Sequence, residues 1–340
     1  MKELLMRVST LLGGLALFVY GMNGMSDGLR EAAGEKLKQI LKVVTKSTWS
    51  CVAAGALTTA VLQSSSATIC MAVGFVSAGI MGLPQAICVI FGANMGTTVT
   101  AQLLAFRLGD YAWLVVFSGF VLLFFGEGQG LRHVGQTVFS FGLLFVGIET
   151  MGKVMEPLAA SPVFTELMRQ VADVPVLGLL VGAGMTMIVQ SSSATIAVLQ
   201  NFAATPAAGS VSVLGLSGAL PVLLGDNIGT TVTSLLASAG QTADAKRAAL
   251  AHSIFNISGS MVFLCLLGPF TELVVFLSPR GPEVDVISRQ IANGHTLFNG
   301  ASTLLWLPMV AVMERIVTWL VPDSPPADAR LSPPVKERKV

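Results

Sequence analysis

Hydroxyl and amide side chains cluster in two motifs of this chain, and each motif occurs twice. Residues 63–68 read Gln-Ser-Ser-Ser-Ala-Thr, and residues 190–195 repeat all six letters. Residues 92–100 read Gly-Ala-Asn-Met-Gly-Thr-Thr-Val-Thr and return with two changes at residues 225–233. The repeats lie 127 and 133 residues apart in otherwise apolar sequence. One unit has therefore been duplicated, and its uncharged polar clusters indicate a binding site.

The hydroxyl groups are suited to an anion. Residues 64–66 immediately precede an apolar run, so they are expected to cap the start of a helix. A helix N-terminus offers free N–H groups and the positive end of a dipole, a recurrent way to hold phosphate. The threonines that follow Gly96 and Gly229 are expected to begin half-helices in the same way, so that four N-termini converge. The predicted anion ligands are Ser64, Ser65, Ser66, Ser191, Ser192, Ser193, Thr98 and Thr231.

The amide oxygens and the remaining hydroxyls are the ligand type that hard cations prefer. Neither motif contains Lys or Arg, so a doubly charged anion would need bound cations, which is a reason to expect coupling to Na⁺. No organic cofactor is expected. The alternative interpretation is that these small and hydroxyl residues only pack helices together in a membrane. The predicted Na⁺ ligands are Gln63, Asn94, Thr97, Gln190, Asp226, Asn227 and Thr230.

Asp226 is the one position where the two copies of the second motif differ in charge, because its counterpart is Ala93. Residues 174–243 contain no other Asp, Glu, Lys or Arg. An unpaired carboxylate at membrane depth is costly. We therefore expect Asp226 to help bind one sodium ion, with Asn227 and Thr230 nearby.

Two further polar pairs are spaced four residues apart: His252 with Asn256, and His295 with Asn299. This spacing places both members of a pair on one helix face. We interpret the pairs as structural groups that hydrogen-bond between helices, away from the two motifs.

The composition places the motifs in a membrane. Of the 340 residues, 53% are hydrophobic and only 11% are charged, with a mean hydropathy of +0.74, whereas soluble domains carry about 25% charged residues. The net charge of +1 gives no indication of nucleic acid as a partner. The chain is expected to be an all-α polytopic membrane protein in the lipid bilayer, with its N-terminal apolar run retained as a first span.

Breaks in the apolar pattern predict the elements that position the motifs. Polar clusters, glycines and prolines divide the sequence into pieces, several too short for the roughly 20 residues that one span needs. Each copy is therefore expected to contain a re-entrant helical hairpin with the serines at its tip, followed by an interrupted transmembrane helix. Seven crossings are predicted, and the odd number between equivalent points makes the two repeats inverted. The predicted ranges are 1–133 for the first copy (hairpin 49–81, broken helix 84–106), 134–321 for the second copy and a final span (hairpin 176–205, broken helix 212–238), 27–48 for an interfacial helix, 157–175 for a loop, and 322–340 for a disordered tail.

The paired Gln-Ser-Ser-Ser motifs, each followed by Gly-x-Asn-x-Gly-Thr-Thr, resemble the type II sodium–phosphate cotransporter family, and so does the stretch from His252 to Gly259. The resemblance covers roughly residues 8–321. It implies Na⁺-driven uptake of inorganic phosphate by alternating access, with both serine hairpins forming one site that moves against a scaffold like an elevator. The short loop and tail imply a multi-pass protein of the bacterial inner membrane, without the C-terminal phosphate-regulator-like domain of some relatives.

Alternatives from other classes stay open at this point. A phosphate channel or an exporter would use the same motifs, since some bacterial relatives can export phosphate. An intramembrane serine protease of the rhomboid kind would need Ser217 beside His252, but a helix rise of about 1.5 Å per residue places them far apart, and no enzyme is expected. A homodimer is one option for the assembly. The loop charges favour an external N-terminus, whereas the resemblance implies a cytoplasmic one.

Overall fold

Helices account for every regular element in residues 2–33, 47–106, 111–159, 162–206 and 211–323, which are the residues that the computed structural model describes. The first copy contains α1 (Lys2–Ala33), α2 (Thr48–Leu62), α3 (Ser65–Ser77), α4 (Leu83–Leu104) and α5 (Ala112–Phe125). The second copy contains α6 (Gln129–Ala159), α7 (Pro162–Asp173), α8 (Pro175–Val189), α9 (Ser192–Ala203), α10 (Gly215–Gly229) and α11 (Thr231–Ser238). It continues with α12 (Ala243–Cys265), α13 (Leu267–Phe276), α14 (Glu283–Trp306) and α15 (Val310–Leu320). The all-α prediction is confirmed.

Five segments of the described residues are long and apolar enough to cross a membrane: Leu5–Ala32, Leu83–Leu104, Gln129–Val154, Ala243–Cys265 and Glu283–Leu320. They confirm the prediction of a polytopic membrane protein. The other two of the seven predicted crossings contain shorter helices: α5 in one, and α10 with α11 in the other, 212–238. In the second of these, α10 and α11 continue as one helical stretch, because Thr230 between them has helical dihedral angles (φ −60°, ψ −25°).

A two-residue turn joins the two helices of each predicted hairpin. Gln63 and Gln190 end α2 and α8 in the left-handed conformation, with φ of 52° and 55°. Ser64 and Ser191 are extended and cap α3 and α9, because each Oγ accepts the backbone N–H three residues further on, at 3.2 and 3.3 Å. Both arms of each hairpin are thus present as helices that meet at the serines. Their re-entry into the membrane stays a prediction.

The crossing helix of the first copy is continuous. α4 runs through residues 94–98 without a break, so the interruption predicted within 84–106 is wrong. In the second copy, the interruption predicted within 212–238 is limited to Thr230. The prediction failed because it took the motif glycines as helix breakers, whereas they serve helix packing.

The motif glycines bring two pairs of helices into backbone contact. A Cβ on Gly92 of α4 would lie 1.9 Å from a backbone oxygen of α2, and one on Gly225 of α10 would lie 1.9 Å from a backbone oxygen of α8. The reciprocal positions, Gly55 and Gly182, would place a Cβ 2.1 and 1.9 Å from backbone oxygens of α4 and α10. Small residues that let backbones approach are typical of helix contacts in membranes. Each hairpin is thereby fixed against the crossing helix of its own copy.

Three hydrophobic clusters hold the remaining helices together. The first joins the hairpin and α4 of the first copy to α12 and α15. The second joins α8, α9 and α10 to α13 and α14, and the third joins α1, α5 and α6. Between the copies, α3 packs against α11, and α9 packs against α4. Each hairpin therefore touches the crossing helix of the other copy as well as its own.

Two connecting segments differ from expectation. α1 continues to Ala33, so no separate helix begins at residue 27, and residues 34–46 lie outside the described residues. The range 157–175, predicted as a loop, contains α7. Its prolines misled the prediction, because Pro162 and Pro175 begin α7 and α8, and the first turn of a helix tolerates proline. Of the predicted tail, residues 324–340 lie outside the described residues.

Candidate functional site

The serine triplets lie at the starts of α3 and α9. Ser65 and Ser192 are the first residues of these helices, and only 7% and 9% of their surface is exposed. The first N–H groups of a helix have no acceptor within it, so each triplet combines hydroxyls with N–H donors and the positive end of a helix dipole. The predicted capping is confirmed. Anion binding stays a prediction, for Ser66 and Ser193 as for the others.

The motif threonines bond to their own helices. The hydroxyls of Thr97, Thr98, Thr230 and Thr231 donate to backbone carbonyls three or four residues earlier, at 2.7 to 3.2 Å. Thr97 and Thr98 lie inside the continuous α4, and α11, which begins at Thr231, continues directly from α10. Separate half-helix N-termini are therefore found at the two serine tips and not at these threonines. Each hydroxyl oxygen keeps lone pairs with which it can bind a cation or accept a hydrogen bond.

The two tip glutamines have different surroundings. Gln63 is buried; its Oε1 accepts from Thr100 Oγ1 at 2.8 Å, and its Nε2 donates to the Ala60 carbonyl at 2.5 Å. Gln190 is exposed, and its backbone N–H donates to the Thr186 carbonyl at 2.7 Å. Among the described residues, a side-chain hydrogen bond ties the tip glutamine of the first hairpin to α4, and none ties that of the second hairpin to a crossing helix.

Asn94 in α4 is held by a pair of side chains from α12. Its Oδ1 accepts from Asn256 Nδ2 at 3.3 Å and lies 3.2 Å from His252 Nε2. All three side chains are buried. A carboxamide oxygen can only accept, so His252 Nε2 carries the hydrogen of this contact. Both lone pairs of the Asn94 oxygen are therefore used.

The same arrangement recurs in the second copy. Asn227 Oδ1 in α10 lies 3.2 Å from His295 Nε2 and accepts from Asn299 Nδ2 at 3.3 Å, both from α14. The predicted hydrogen bonding between helices is confirmed, but the expectation that the pairs lie away from the motifs is wrong. The signal was present in the sequence, since residues 252–256 and 295–299 share the pattern His-x-x-Phe-Asn. In this geometry Asn227, like its counterpart, would bind Na⁺ through Oδ1 only after one of these bonds opened.

Asp226 is fully buried in α10 and bonded to the adjacent hairpin. Thr186 Oγ1 of α8 donates to Asp226 Oδ1 at 2.5 Å and lies 3.0 Å from Thr195 Oγ1 of α9. Asp226 Oδ2 has no hydrogen-bond partner among the described residues. A buried polar oxygen without a partner is costly, and a cation would compensate it. Sequence reasoning missed Thr186, although its counterpart in the repeat, Thr59, is also a threonine.

The copies are linked through Asn94 rather than through the serines. His252 Nδ1 lies 3.0 Å from Ser234 Oγ of α11, so one imidazole ring contacts the motif helices of both copies. Among the described residues, no hydrogen bond joins the two serine triplets. The helices that they begin contact the motif helices of the other copy, α3 with α11 and α9 with α4, and Gln200 Nε2 of α9 donates to the Ala101 carbonyl of α4 at 3.1 Å.

The surroundings of His252 do not support the serine protease alternative. Both of its ring nitrogens contact other groups, Asn94 and Ser234. Ser217 is exposed, whereas His252 is 1% exposed. A catalytic base must lie within about 3 Å of its nucleophile, and these residues form no such pair.

A duplicated helical unit with a polar hairpin tip in each copy defines the class of protein, because secondary transporters are commonly built in this way. The Na⁺/Pi-cotransporter family matches the chain twice in succession, over residues 17–153 and 154–291. The chain belongs to this family, as the sequence motifs predicted. Phosphate is the family's substrate, and its members are transporters rather than enzymes.

Curated relatives agree with this assignment. "Uncharacterized protein YqeW" of Bacillus subtilis (strain 168) is 32% identical over 266 residues, which cover 78% of this chain and 84% of that protein. "Putative inorganic phosphate export protein YjbB" of Salmonella typhimurium is 27% identical over 269 residues, covering 79% of this chain but only 48% of the relative. The human "Sodium-dependent phosphate transport protein 2B" is 44% identical over 103 residues, covering 29% of this chain and 14% of the relative. No solved structure matches the chain.

Proposed function

We propose that this protein is a secondary active transporter that couples the uptake of inorganic phosphate to Na⁺. The observation that carries the proposal is the pair of serine-capped helix N-termini, one in each copy, combined with a single buried carboxylate, Asp226. The N–H groups and hydroxyls at residues 64–66 and 191–193 supply donors for phosphate oxygens. Thr98 and Thr231 are proposed to complete this set.

Asp226 is the proposed centre of a Na⁺ site. Its Oδ2 lacks a partner among the described residues, and the Thr186 and Thr195 hydroxyls lie on its Oδ1 side. Hard cations take ligands of this oxygen type, so the residues present fit the ion. The other proposed Na⁺ ligands are Gln63, Gln190, Thr97 and Thr230, with Asn94 and Asn227 joining them if their interhelix bonds open.

Charge gives the physical reason for coupling. The serine motifs contain no Lys or Arg, and an ionised Asp226 would repel a phosphate anion in the same protein interior. Bound Na⁺ removes this repulsion and adds positive charge in a medium of low dielectric constant, where such interactions are strong. Phosphate is therefore expected to bind well only to the Na⁺-loaded protein.

Export is the second candidate, since the YjbB relatives carry phosphate export in their printed name. A channel is a third candidate, but a site built from capped helix ends and a buried carboxylate favours binding in discrete steps. The protein is proposed to lie in a bacterial inner membrane. We leave a homodimer as an option, to be decided by the mass of the purified detergent complex.

Radiolabelled phosphate flux into proteoliposomes tests the function. Uptake should saturate with phosphate, require Na⁺ outside, and collapse when K⁺ replaces Na⁺ or when the Na⁺ gradient is dissipated. Flux that rises linearly with phosphate and ignores Na⁺ would instead show a channel. The direction of transport is tested separately in cells depleted of other phosphate transporters: expression should raise internal phosphate, and a fall would show export.

The inverted arrangement of the two repeats is also a proposal. Four helices separate the two hairpins, and three of them, α4, α5 and α6, lie in predicted crossings, whereas α7 has only 12 residues. Cysteines at Ile80 and Pro206, both exposed just beyond the ends of α3 and α9, report on the inversion. In a background without the native cysteines, impermeant thiol reagents should modify the two sites from opposite sides of the membrane. Modification of both from one side would contradict the proposal and leave a parallel duplication.

A further inference from the structure

Each motif asparagine is hydrogen-bonded at both the oxygen and the nitrogen of its carboxamide. Besides the two contacts at Oδ1, each Nδ2 donates to a carbonyl four residues earlier in its own helix, at 2.9 Å for Asn94 and 2.8 Å for Asn227. A side chain bonded at both ends has one orientation. It therefore fixes the rotation of its helix against the helix that supplies the donors. Asn94 fixes α4 against α12, and Asn227 fixes α10 against α14.

The donors are themselves held in place. Asn256 Nδ2 also donates to the His252 carbonyl at 3.0 Å, and Asn299 Nδ2 donates to the His295 carbonyl at 3.1 Å. The asparagine of each His-x-x-x-Asn pair is thus oriented by a bond within its own helix, in addition to its bond to the motif asparagine. These groups are buried, so water does not replace a lost bond. Asn256 Oδ1, Asn299 Oδ1 and His295 Nδ1 have no partner among the described residues. Every donor that faces a motif asparagine is nevertheless bonded to it, and buried hydrogen bonds of this kind favour one arrangement.

The two histidines differ at their second nitrogen. His252 Nδ1 lies 3.0 Å from Ser234 Oγ, and the Thr231 carbonyl oxygen lies 2.8 Å from the same hydroxyl. Because Nε2 carries the hydrogen of the Asn94 contact, Nδ1 accepts, and the one Ser234 hydrogen goes to one of these two acceptors at a time. His295 Nδ1 has no partner among the described residues. His252 therefore connects the first-copy motif in α4 with the second-copy motif at Thr231, whereas His295 serves its own copy.

We propose that His252 and His295 are positioning residues for transport, and that His252 also couples the motif helices of the two copies. Fixing α4 and α10 places the motif threonines and Asp226 relative to the hairpin tips. If α4 moves relative to α11 during transport, His252 either moves with both helices or loses its contact with Asn94 or Ser234. This inference rests on the proposed function, because its readout is Na⁺-coupled phosphate uptake.

Two conservative variants of each histidine separate the roles of its nitrogens. A glutamine amide reaches the place of Nε2, and an asparagine amide reaches the place of Nδ1. His295→Gln should keep half-maximal Na⁺ and phosphate concentrations within about twofold of wild type, whereas His252→Gln loses the Ser234 contact and should match Ser234→Ala. His252→Asn and His295→Asn lose the donor to the motif asparagine and should raise the half-maximal Na⁺ concentration about three- to tenfold, the range for one hydrogen bond. Uptake is normalised to folded protein measured by size-exclusion chromatography.

Ser234→Ala tests the link between the copies. Alone, it should change Na⁺ activation by about two- to fivefold, as one hydrogen bond is lost. Added to His252→Asn, which removes the Asn94 contact but keeps a group near Ser234, it should still have an effect. Added to His252→Gln, which leaves nothing at Nδ1, it should have none. Added to His295→Gln, it should act as it does alone.

Several results would overturn the inference. Glutamine and asparagine variants that behave alike would do so, and so would losses that follow only the amount of folded protein. Additive effects of Ser234→Ala and His252→Gln would remove the link between copies. Wild-type vesicles measured in parallel separate the two proposals. Wild-type protein without Na⁺-coupled phosphate uptake would contradict the proposed function and the inference with it. Active wild-type protein together with histidine variants that transport like wild type would contradict the inference alone.

Discussion

The duplicated motifs of the first and second copies share a backbone arrangement down to single residues and differ in one charge. In both copies a left-handed glutamine ends the first hairpin helix, and the next serine caps the second. Paired glycines bring the hairpin against the crossing helix at Gly92 and again at Gly225. The motif asparagine accepts from a His-x-x-x-Asn pair in each case. Both copies therefore have the same packing frame, meaning the same contacts of the crossing helix with its hairpin and with a His-x-x-x-Asn pair.

The difference lies where hairpin and crossing helix meet. In the second copy, Thr186 donates to Asp226. In the first copy, Ala93 stands at the corresponding place, and the buried Thr59 hydroxyl has no partner among the described residues. Because the first copy folds into the same frame without a carboxylate, the fold does not require one. We therefore expect Asp226 to do more than pack, and the comparison favours the second copy as the centre of the proposed cation site.

The largest expected effect concerns the shared frame. Gly92→Ala and Gly225→Ala would each place a Cβ 1.9 Å from a backbone oxygen, and a carbonyl oxygen can retreat only if a helix moves. Overpacking of this kind costs about 1–3 kcal/mol or more, so both variants should lose most of their folded protein in size-exclusion profiles. Gly74→Ala and Gly184→Ala are matched controls, since nothing lies within 4 Å of either Cβ. Tolerance of alanine in one copy alone would show that the frames are not equivalent.

The next effect tests whether both serine tips serve one phosphate site. Ser65→Ala and Ser192→Ala each remove one hydrogen bond to a charged group, about 1.5–3 kcal/mol, which corresponds to a roughly 10- to 150-fold rise in the KM for phosphate. Ser118→Ala in α5 is the control, because that exposed hydroxyl donates to its own helix. The measurement is the phosphate dependence of uptake at saturating Na⁺. An unchanged KM in either well-folded variant would confine phosphate to the other copy.

Much of this arrangement was readable from local chemistry. The capping by Ser64 and Ser191 followed from a polar residue placed directly before an apolar run, and the duplication followed from identical letters. The continuity of α4 was not readable, because Gly96 favours a break when seen alone and favours close packing when a second helix lies against it. Propensity describes the isolated segment, and packing overrides it.

The partners of the motifs were harder to predict than the motifs themselves. His252 lies 158 residues from Asn94 along the chain, and their contact depends on how α12 packs against α4. The pattern shared with His295 indicated a repeated function, but not which motif each pair serves. Thr186 was missed because a threonine in an apolar helix is common, and only its distance from Asp226 gives it meaning.

A smaller effect tests the charge difference directly. Asp226→Asn keeps an acceptor for Thr186 but removes the charge, and should raise the half-maximal Na⁺ concentration for uptake about tenfold, or 1.4 kcal/mol. Ala93→Asp in that background places a carboxylate in the first copy near the unpartnered Thr59, and should recover part of the Na⁺ dependence. Na⁺ titrations of uptake compare the three proteins. Curves for Asp226→Asn that superimpose on wild type would make this carboxylate a packing or assembly residue.

The smallest expected effect concerns the hairpin tips. Gln63 and Gln190 both adopt left-handed backbone, which costs a residue with a side chain roughly 1–2 kcal/mol. Glycine at either position relieves this strain equally, but Gln63→Gly also loses the hydrogen bond from Thr100, worth about 1 kcal/mol, and the bond to the Ala60 carbonyl of its own helix. Gln63→Gly should therefore melt on the order of 2–4 °C below Gln190→Gly. In a Thr100→Ala background the difference should shrink to what the Ala60 bond contributes, because the Thr100 partner is already absent. Equal melting temperatures in the wild-type background would mean that the bond from Thr100 adds nothing to stability, and that the two tips differ in exposure alone.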